Sequence, residues 1–314
     1  MRRAAFIGCL LAAVLTGRGV AAPGAFTPAD AAAAYETAAG LVRACTSRHG
    51  GTPESRRAAD WICARLVAAG VPARVEAFES RTPDGVRSFA NVVVEFPGTR
   101  PDAPWIVLMS HFDTAPLAGK GFQGANDGAS TSGLLVSLAN VLKRRGSRVH
   151  PLALVWTDGE ECRVAYGPHD GFHGSRHLAA AFRQRKRAVA AAVCLDMLGD
   201  RDLDIMIPGN TTPFLKDAAL RAAARAGLAG KVFRNDAVFV QDDHSAFLDA
   251  GYPAIDLIDF NFGSAPGLND YWHTAHDTLD KISQQSLHAS GRLVCALLDV
   301  LEETSNPTHH QSEK

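Results

Sequence analysis

The sequence predicts an α/β fold, a three-layer sandwich with a mostly parallel central sheet and helices on both of its faces. Short apolar runs with the length and β-rich composition of buried strands alternate with stretches of helical periodicity. This alternation is typical of parallel sheets that are covered by helices on both sides. An acid or imidazole side chain also follows several of the runs, at the position where such folds bind ligands.

The first part of the chain predicts two helices, over residues 27–46 and 55–69. Gly70 ends the second helix, because glycine readily adopts the left-handed conformation that closes a helical C-terminus. Two extended segments are predicted next, at residues 73–78 and 91–95.

Four short apolar runs predict the buried strands of the sheet, at residues 105–109, 151–156, 189–195 and 254–258. Helices are predicted between and after them, at residues 130–145, 175–185, 212–226, 244–250 and 283–301. The helix over 130–145 has the clearest pattern, because its leucine and valine residues fall on one face. Gly146 is expected to end it.

The first 22 residues predict a signal peptide. Two arginines precede an apolar stretch over residues 4–16, and small residues follow at 19–22. A retained anchor is the alternative, but the stretch is short and Arg18 interrupts it. We therefore expect an exported protein, periplasmic or secreted, whose residues 23–314 form a single domain.

The remaining composition excludes several classes of function. A net charge of -1 over 314 residues gives no electrostatic reason to bind nucleic acid or an anionic membrane. The sequence contains no GxSxG motif, so it does not indicate a serine hydrolase. After residue 22 no run could span a bilayer, and five cysteines remain, of which Cys45 and Cys63 could pair. Cys194, in an apolar run, is predicted to be a buried small hydrophobe.

Acid and imidazole residues recur in a fixed order along the chain, namely His111, Asp127, the pair Glu160 and Glu161, Asp196 and His273. Carboxylate oxygens mixed with imidazole nitrogens are the ligands of catalytic zinc. A spare carboxylate beside them could carry a proton in acyl transfer. Glu160 and Glu161 suit this division, because adjacent residues on an extended segment point apart.

The order of these residues resembles the M28 peptidase family of zinc aminopeptidases and glutaminyl cyclases, and the resemblance covers nearly all of residues 27–303. It implies that Asp127, Glu161 and His273 bind zinc. It also implies that Glu160 is the general acid and base.

Family members with two zinc ions hold the second ion with an early histidine and a strand-end aspartate. The resemblance places these residues at His111 and Asp196, with Asp127 bridging, so His111 is a possible ligand of a second site. In members with one zinc ion the same two residues form hydrogen bonds instead.

Three features resemble glutaminyl cyclases in particular. The segment over 158–179 is similar to the corresponding cyclase segment. Gln241 and Asp242 begin a Gln-Asp-Asp-His motif that matches a cyclase loop, whose first aspartate works with the catalytic glutamate. Trp272 precedes His273, as in cyclases, where the indole lines the substrate pocket.

Two other features favour an aminopeptidase. Cyclases commonly have tryptophan where this chain has Tyr166, and residues 273–278 resemble both classes equally. On the cyclase reading the catalytic residues are Glu160, Asp196 and Asp242. Its pocket residues are Trp272, Tyr166 and Gln241.

The resemblance therefore implies a zinc-dependent glutaminyl-peptide cyclotransferase, which converts N-terminal glutamine to pyroglutamate and releases ammonia. This reading implies one zinc ion, with peptide or protein N-termini as substrates and a monomeric enzyme. A di-zinc aminopeptidase is the alternative, with a second ion at His111 and Asp196. A metal-free binding module on the same fold would lack ligands, and none is missing here.

Overall fold

The computed structural model describes residues 24–304, so the predicted signal peptide lies outside the described residues. The helices are α1 (Pro28–Ala44), α2 (Pro53–Ala68), α3 (Thr131–Arg145), α4 (His173–Gln184), α5 (Pro213–Arg225), α6 (His244–Asp249) and α7 (Gln284–Thr304). The strands are β1 (Ala73–Thr82), β2 (Gly85–Phe96), β3 (Trp105–His111), β4 (Leu152–Thr157), β5 (Val189–Asp196), β6 (Ile205–Pro208), β7 (Val232–Asn235) and β8 (Ala254–Ile258).

All eight strands form one sheet in the order β1-β2-β4-β3-β5-β8-β6-β7. The centre, β4-β3-β5-β8, is parallel, and it contains the four apolar runs predicted as buried strands. The pairs β1–β2, β2–β4 and β6–β8 are antiparallel. The predicted α/β class with a mostly parallel sheet is confirmed for this centre, while the edges make the sheet mixed.

The edges are where the sequence predicted least. β1 and β2 form a long hairpin that extends both predicted segments. Most of the residues it adds, at 79–82 and 85–88, are polar or exposed, so no apolar run indicated them. β6 and β7 were not predicted at all. Each has only four residues, and together they extend the sheet beyond β8.

Helices cover both faces of the sheet, as predicted. On β3, Ile106 and Leu108 pack in one apolar cluster with residues of α1, α2, α3, α5 and α7. Val107 and Met109, which point to the opposite face, pack with Phe182 of α4 and Phe247 of α6. The three-layer arrangement therefore follows from strands that are apolar on both sides.

Two further predictions concern cysteines and membranes. Cys45 and Cys63 are both free in the structure, so the possible bridge between them is not formed. Cys194 is buried, as predicted. Within residues 24–304, no helix has the length and apolar composition needed to cross a bilayer.

Candidate metal centre and active site

The predicted site residues meet at the carboxyl edge of the parallel strands. β3 ends at His111 and β5 ends at Asp196. Glu160 and Glu161 follow the end of β4, and His273 lies in the long loop after β8. Because parallel strands end at the same edge, residues far apart in the chain come together there.

The side chains of five of these residues approach one another closely. His273 Nε2 lies 3.0 Å from Glu161 Oε1 and 3.3 Å from Asp127 Oδ2. His111 Nε2 lies 3.1 Å from Asp127 Oδ1. Asp127 therefore stands between two imidazoles and presents one oxygen to each. His111 Nε2 is also 3.2 Å from Asp196 Oδ1.

Unusual backbone conformations hold two of these groups in place. Asp127 lies in an irregular turn over Ala125–Ser130, in which Gly128 has φ of 87°. A Cβ on Gly128 would lie only 2.9 Å from the carbonyl oxygen of Asp113, so the turn requires glycine. His273 is a non-glycine residue with φ of 55°, a conformation that is uncommon outside functional sites.

A second layer of buried carboxylates supports the backbone of the site. Asp113 accepts hydrogen bonds from the N–H groups of Glu160 (3.1 Å) and Glu161 (3.2 Å), so one side chain orients the pair. Asp277 accepts from the N–H of Asp127 at 3.1 Å in the same way. The sequence analysis assigned no role to Asp113 or Asp277, although each lies within four residues of a predicted histidine.

Arg48 is fully buried beneath the loop that leads to Asp127. Its guanidinium donates to the backbone carbonyls of Gln123 (2.9 Å), Gly124 (2.7 Å) and Phe112. Burial lowers the pKa of Arg48 to about 10, which leaves it charged at neutral pH. Sequence reasoning missed Arg48, because no local pattern around it predicts burial.

The charges of the four ligand candidates stabilise one another. Burial by itself would raise the pKa of Asp127, but the imidazoles of His111 and His273 hold it below its ordinary value. Burial would lower the pKa of His273, yet Asp127 and Glu161 raise it to about 10. Without a metal these histidines are therefore protonated counter-ions. A metal ion would have to displace those protons, so its affinity for the site would decrease as the pH is lowered.

The donor set fits a zinc ion. The ligand-capable atoms of His111, Asp127 and Glu161 all lie within 4.8 Å of one another. Asp127 Oδ2 is buried and accepts no hydrogen bond from any described residue, although it faces His273 Nε2 at 3.3 Å, so it is available to a cation. Buried carboxylate oxygens that converge with imidazole nitrogens match the preference of zinc for oxygen and nitrogen ligands.

Glu160 lies beside this centre and is buried. Burial and the neighbouring charge of Glu161 raise its pKa well above the ordinary value. The Tyr166 hydroxyl lies 3.3 Å from Glu160 Oε1 and 3.5 Å from Glu161 Oε2. Burial also raises the pKa of Asp242 to about 6. A carboxyl group whose pKa lies closer to neutrality is suited to take up and release a proton.

A cavity of about 330 Å³ opens onto these groups. Its lining includes the predicted residues Asp127, Glu160, Glu161, Tyr166, Asp196, Gln241, Asp242, Trp272 and His273. His111 stands behind Asp127 and Asp196. The structure adds five lining residues that the sequence analysis missed, namely Val238, Phe239, Val240, Ile258 and Phe260. They are apolar, so their sequence pattern does not distinguish them from core residues.

Two aromatic residues define the shape of this cavity. The Trp272 indole stacks on the His273 imidazole with ring centroids 4.0 Å apart. The Tyr166 ring stacks on Phe172 at 4.6 Å and is nearly parallel to it. Both rings are held by packing, so these parts of the cavity lining are largely preformed.

Comparisons with known proteins agree with this geometry. Residues 91–298 match the model of peptidase family M28. Glutaminyl-peptide cyclotransferase of Drosophila melanogaster is 29% identical over 66% of this chain, which spans 64% of the length of that relative. The crystal structure of an Acidobacteriales bacterium glutaminyl cyclase is 34% identical, with a TM-score of 0.81, and covers 90% of this chain and 97% of its own. A Porphyromonas gingivalis glutaminyl cyclase is 28% identical, with a TM-score of 0.74, and covers 86% and 97%.

Proposed function

The chain belongs to peptidase family M28, and we propose that it is a zinc-dependent glutaminyl-peptide cyclotransferase. In this proposal it converts the N-terminal glutamine of peptides to pyroglutamate and releases ammonia. The observation that carries it is Glu160, a buried carboxyl of raised pKa that lines a cavity of about 330 Å³. The solved glutaminyl cyclases that align over most of this chain support the same activity.

Asp127, Glu161 and His273 would hold the zinc ion, which when bound polarises the γ-amide carbonyl of the substrate glutamine. These three ligands leave a coordination position for that carbonyl oxygen. Aromatic side chains of Trp272 and Tyr166 would hold the glutamine side chain and exclude water. The exclusion matters because water would otherwise compete as a nucleophile.

The reaction forms a bond between the substrate's α-nitrogen and its γ-carbonyl carbon, and it breaks the bond to the amide nitrogen. The attacking amine loses one proton and the departing amide nitrogen gains one. Glu160 would carry that proton from one nitrogen to the other, so it ends the cycle unchanged. Asp196 and Asp242 would form a carboxyl network around it. Their negative charges favour the protonated form of Glu160.

One observation favours a second candidate, a di-zinc aminopeptidase. Asp127 presents one oxygen to His273 and the other to His111, which also faces Asp196 at 3.2 Å. A bridging carboxylate of this kind is suited to two metal ions. In that reading His111 and Asp196 would hold the second ion, and Glu160 would activate water to cleave the N-terminal residue.

Ammonia release from peptides with N-terminal glutamine tests the proposal, with zinc added or with a chelator, beside a leucyl anilide. Chelator-sensitive ammonia release without leucyl cleavage is the expected result. Leucyl cleavage without ammonia would replace the cyclotransferase with the aminopeptidase. Metal analysis of the same sample should give one zinc ion per chain rather than two.

The signal-peptide pattern of residues 1–22 supports a second proposal. We propose that the protein is exported, to the periplasm or the medium, and that residues 23–314 form a single catalytic domain. We also propose that peptide or protein N-termini are its substrates and that the enzyme acts as a monomer. N-terminal sequencing of the protein recovered from its native host, together with its elution volume in size-exclusion chromatography, tests both points.

A further inference from the structure

An acidic residue occupies the middle of a buried strand that is otherwise apolar. β8 has the sequence Ala-Ile-Asp-Leu-Ile, and Asp256 at its centre is fully buried. In the parallel register Asp256 is the direct partner of Cys194 on β5, so their side chains lie on the same face of the sheet. Helix α6 packs against both strands on that face. A buried acid in a strand is costly unless its charge is compensated or removed.

Asp256 belongs to a tight cluster with Asp242, which lines the cavity. The ligand-capable atoms of Cys194, Asp242 and Asp256 lie within 4.8 Å of one another. The Cys194 thiol donates to Asp242 Oδ2 at 3.3 Å, and the N–H of Asp243 donates to Asp242 Oδ1. Neither oxygen of Asp256 accepts a hydrogen bond from any described residue. An ionised Asp256 would therefore be buried with no donor, whereas Asp242 has two.

The groups that face Asp256 contribute negative charge and no positive charge. They are Cys194 and Asp196 on β5, Asp242 and Asp243 before α6, and His244 at the start of α6. Burial lowers the pKa of His244 to about 3, so its imidazole is neutral, and its Nδ1 lies 4.0 Å from Asp256. Burial and the charge of Asp242 raise the pKa of Asp256 well above its ordinary value. A protonated Asp256 has one proton to donate, and Asp242 is the acceptor beside it.

We propose that Asp256 is a positioning residue, a neutral acid that donates a hydrogen bond to Asp242 and holds its carboxylate beside Glu160. With Cys194 and the N–H of Asp243 it makes a three-donor cradle, which favours the ionised form of Asp242 inside a buried site. Asp256 would not contact the substrate. The effect on catalysis rests on the proposed function, because it is exerted through Glu160.

Two substitutions of similar size distinguish the loss of the hydrogen-bond donor at position 256 from the loss of an ionisable group there. Asp256→Asn keeps a donor, while Asp256→Leu keeps the volume without one, and both are neutral. We expect D256N to retain kcat within about threefold, and D256L to lose about tenfold or more, the factor that corresponds to one hydrogen bond to a charged group. The KM should change little in either variant, because Asp256 lies behind the pocket.

The pH profile provides the readout that a purely structural role would not change. In D256L the acid limb of the kcat profile should move to higher pH, because Asp242 loses a donor to its ionised form. D256N should keep the wild-type limb. Equal activity and equal profiles in the two variants would overturn the proposal, and so would a loss in D256N as large as in D256L. Asp200→Asn is the matched control, a buried acid outside the cavity that accepts the N–H of Asp202.

A measurement without substrate distinguishes failure of this inference from failure of the proposed function. A buried acid whose pKa is raised on folding stabilises the folded state least at high pH, because folding then requires uptake of a proton. As pH rises above about 4, the ordinary pKa of aspartate, the melting temperature of D256N should therefore gain on that of the wild type. We expect a gain of about 2–4 °C for each pH unit. A constant or shrinking difference would mean that Asp256 is ionised, and would overturn the proposal even if ammonia is released.

The metal content of the variant distinguishes a protonated Asp256 from a metal ion bound in the same cluster. A thiol and two carboxylates could instead hold a metal ion. We expect the zinc content of D256N to equal that of the wild type. Loss of one metal equivalent in D256N would show that the cluster binds a cation, and would overturn the proposal that Asp256 is protonated.

Discussion

The ligand candidates and the acids behind them are neighbouring groups at, or just inside, the same edge of the sheet, but they balance their charges differently. The ligand half consists of His111, Asp127, Glu161 and His273, and the acid half of Asp196, Asp242, Asp243 and Asp256 with Cys194. In the ligand half each carboxylate faces an imidazole, and the pKa of His273 rises to about 10 as a result. In the acid half a described cation contacts only Asp196, through His111, while Arg176 attracts Asp243 from farther away. Burial there raises the pKa of Asp243 to about 7.

This difference separates two tasks of a metal-assisted acyl transfer. A region of paired imidazoles and carboxylates can exchange its protons for a metal ion without leaving a buried charge uncompensated. A region rich in carboxyls with few imidazoles is neutralised by protons when no cation is bound, and so it is suited to storing and moving them. Glu160 lies between the two halves. Substitutions on either side should therefore affect different observables, which the following experiments exploit.

The largest expected effect is loss of a ligand by His273→Ala. Metal binding should weaken strongly, and ammonia release should fall about a thousandfold or more, because Lewis-acid stabilisation contributes several kcal/mol to the transition state. Zinc content after dialysis and kcat are the measurements. His276→Ala is the matched control, an exposed histidine three residues away in the same loop. If H276A lost zinc as H273A does, the assignment of the ligand half would be wrong.

The adjacent glutamates provide the sharpest test of the division. Glu160→Gln should lower kcat by about a hundred- to a thousandfold, in the range of general acid–base catalysis, with zinc content unchanged. Glu161→Gln should instead release zinc, because Glu161 belongs to the ligand half. Metal analysis and kcat should be measured on both variants. Equal zinc loss in the two would place Glu160 among the ligands and remove the proposed proton carrier.

The smallest effect is expected from Tyr166→Phe. Its hydroxyl lies 3.3 Å from Glu160, a long contact for which we expect about 1 kcal/mol, or about a fivefold loss of kcat. The ring should remain stacked on Phe172, so KM should change less than kcat. Tyr271→Phe removes a hydroxyl outside the cavity and serves as the control. A loss above a hundredfold in Y166F would make Tyr166 a proton carrier in its own right.

The local sequence pattern predicted the central strands and the strand ends near which the site residues lie. The β8 prediction matches the observed strand, and the run predicted at 105–109 lies within β3. Apolar runs and helical periodicity are properties of residues that are close in sequence, so they can be recognised without knowledge of the tertiary structure. The hairpin and the two four-residue strands were predicted poorly, because their stability comes from pairing with other strands rather than from their own composition.

The sequence by itself determined the chemical types of the site: carboxylates and imidazoles in a fixed order, several of them at or near the end of an apolar run. Only the tertiary structure decided which of them meet, and what holds them. Asp277 orients the backbone of Asn126 across 151 positions of chain, and Asp256 faces Asp242 from a different strand. Hydrogen bonds of this kind depend on distance in space and on burial, and a one-dimensional pattern records neither.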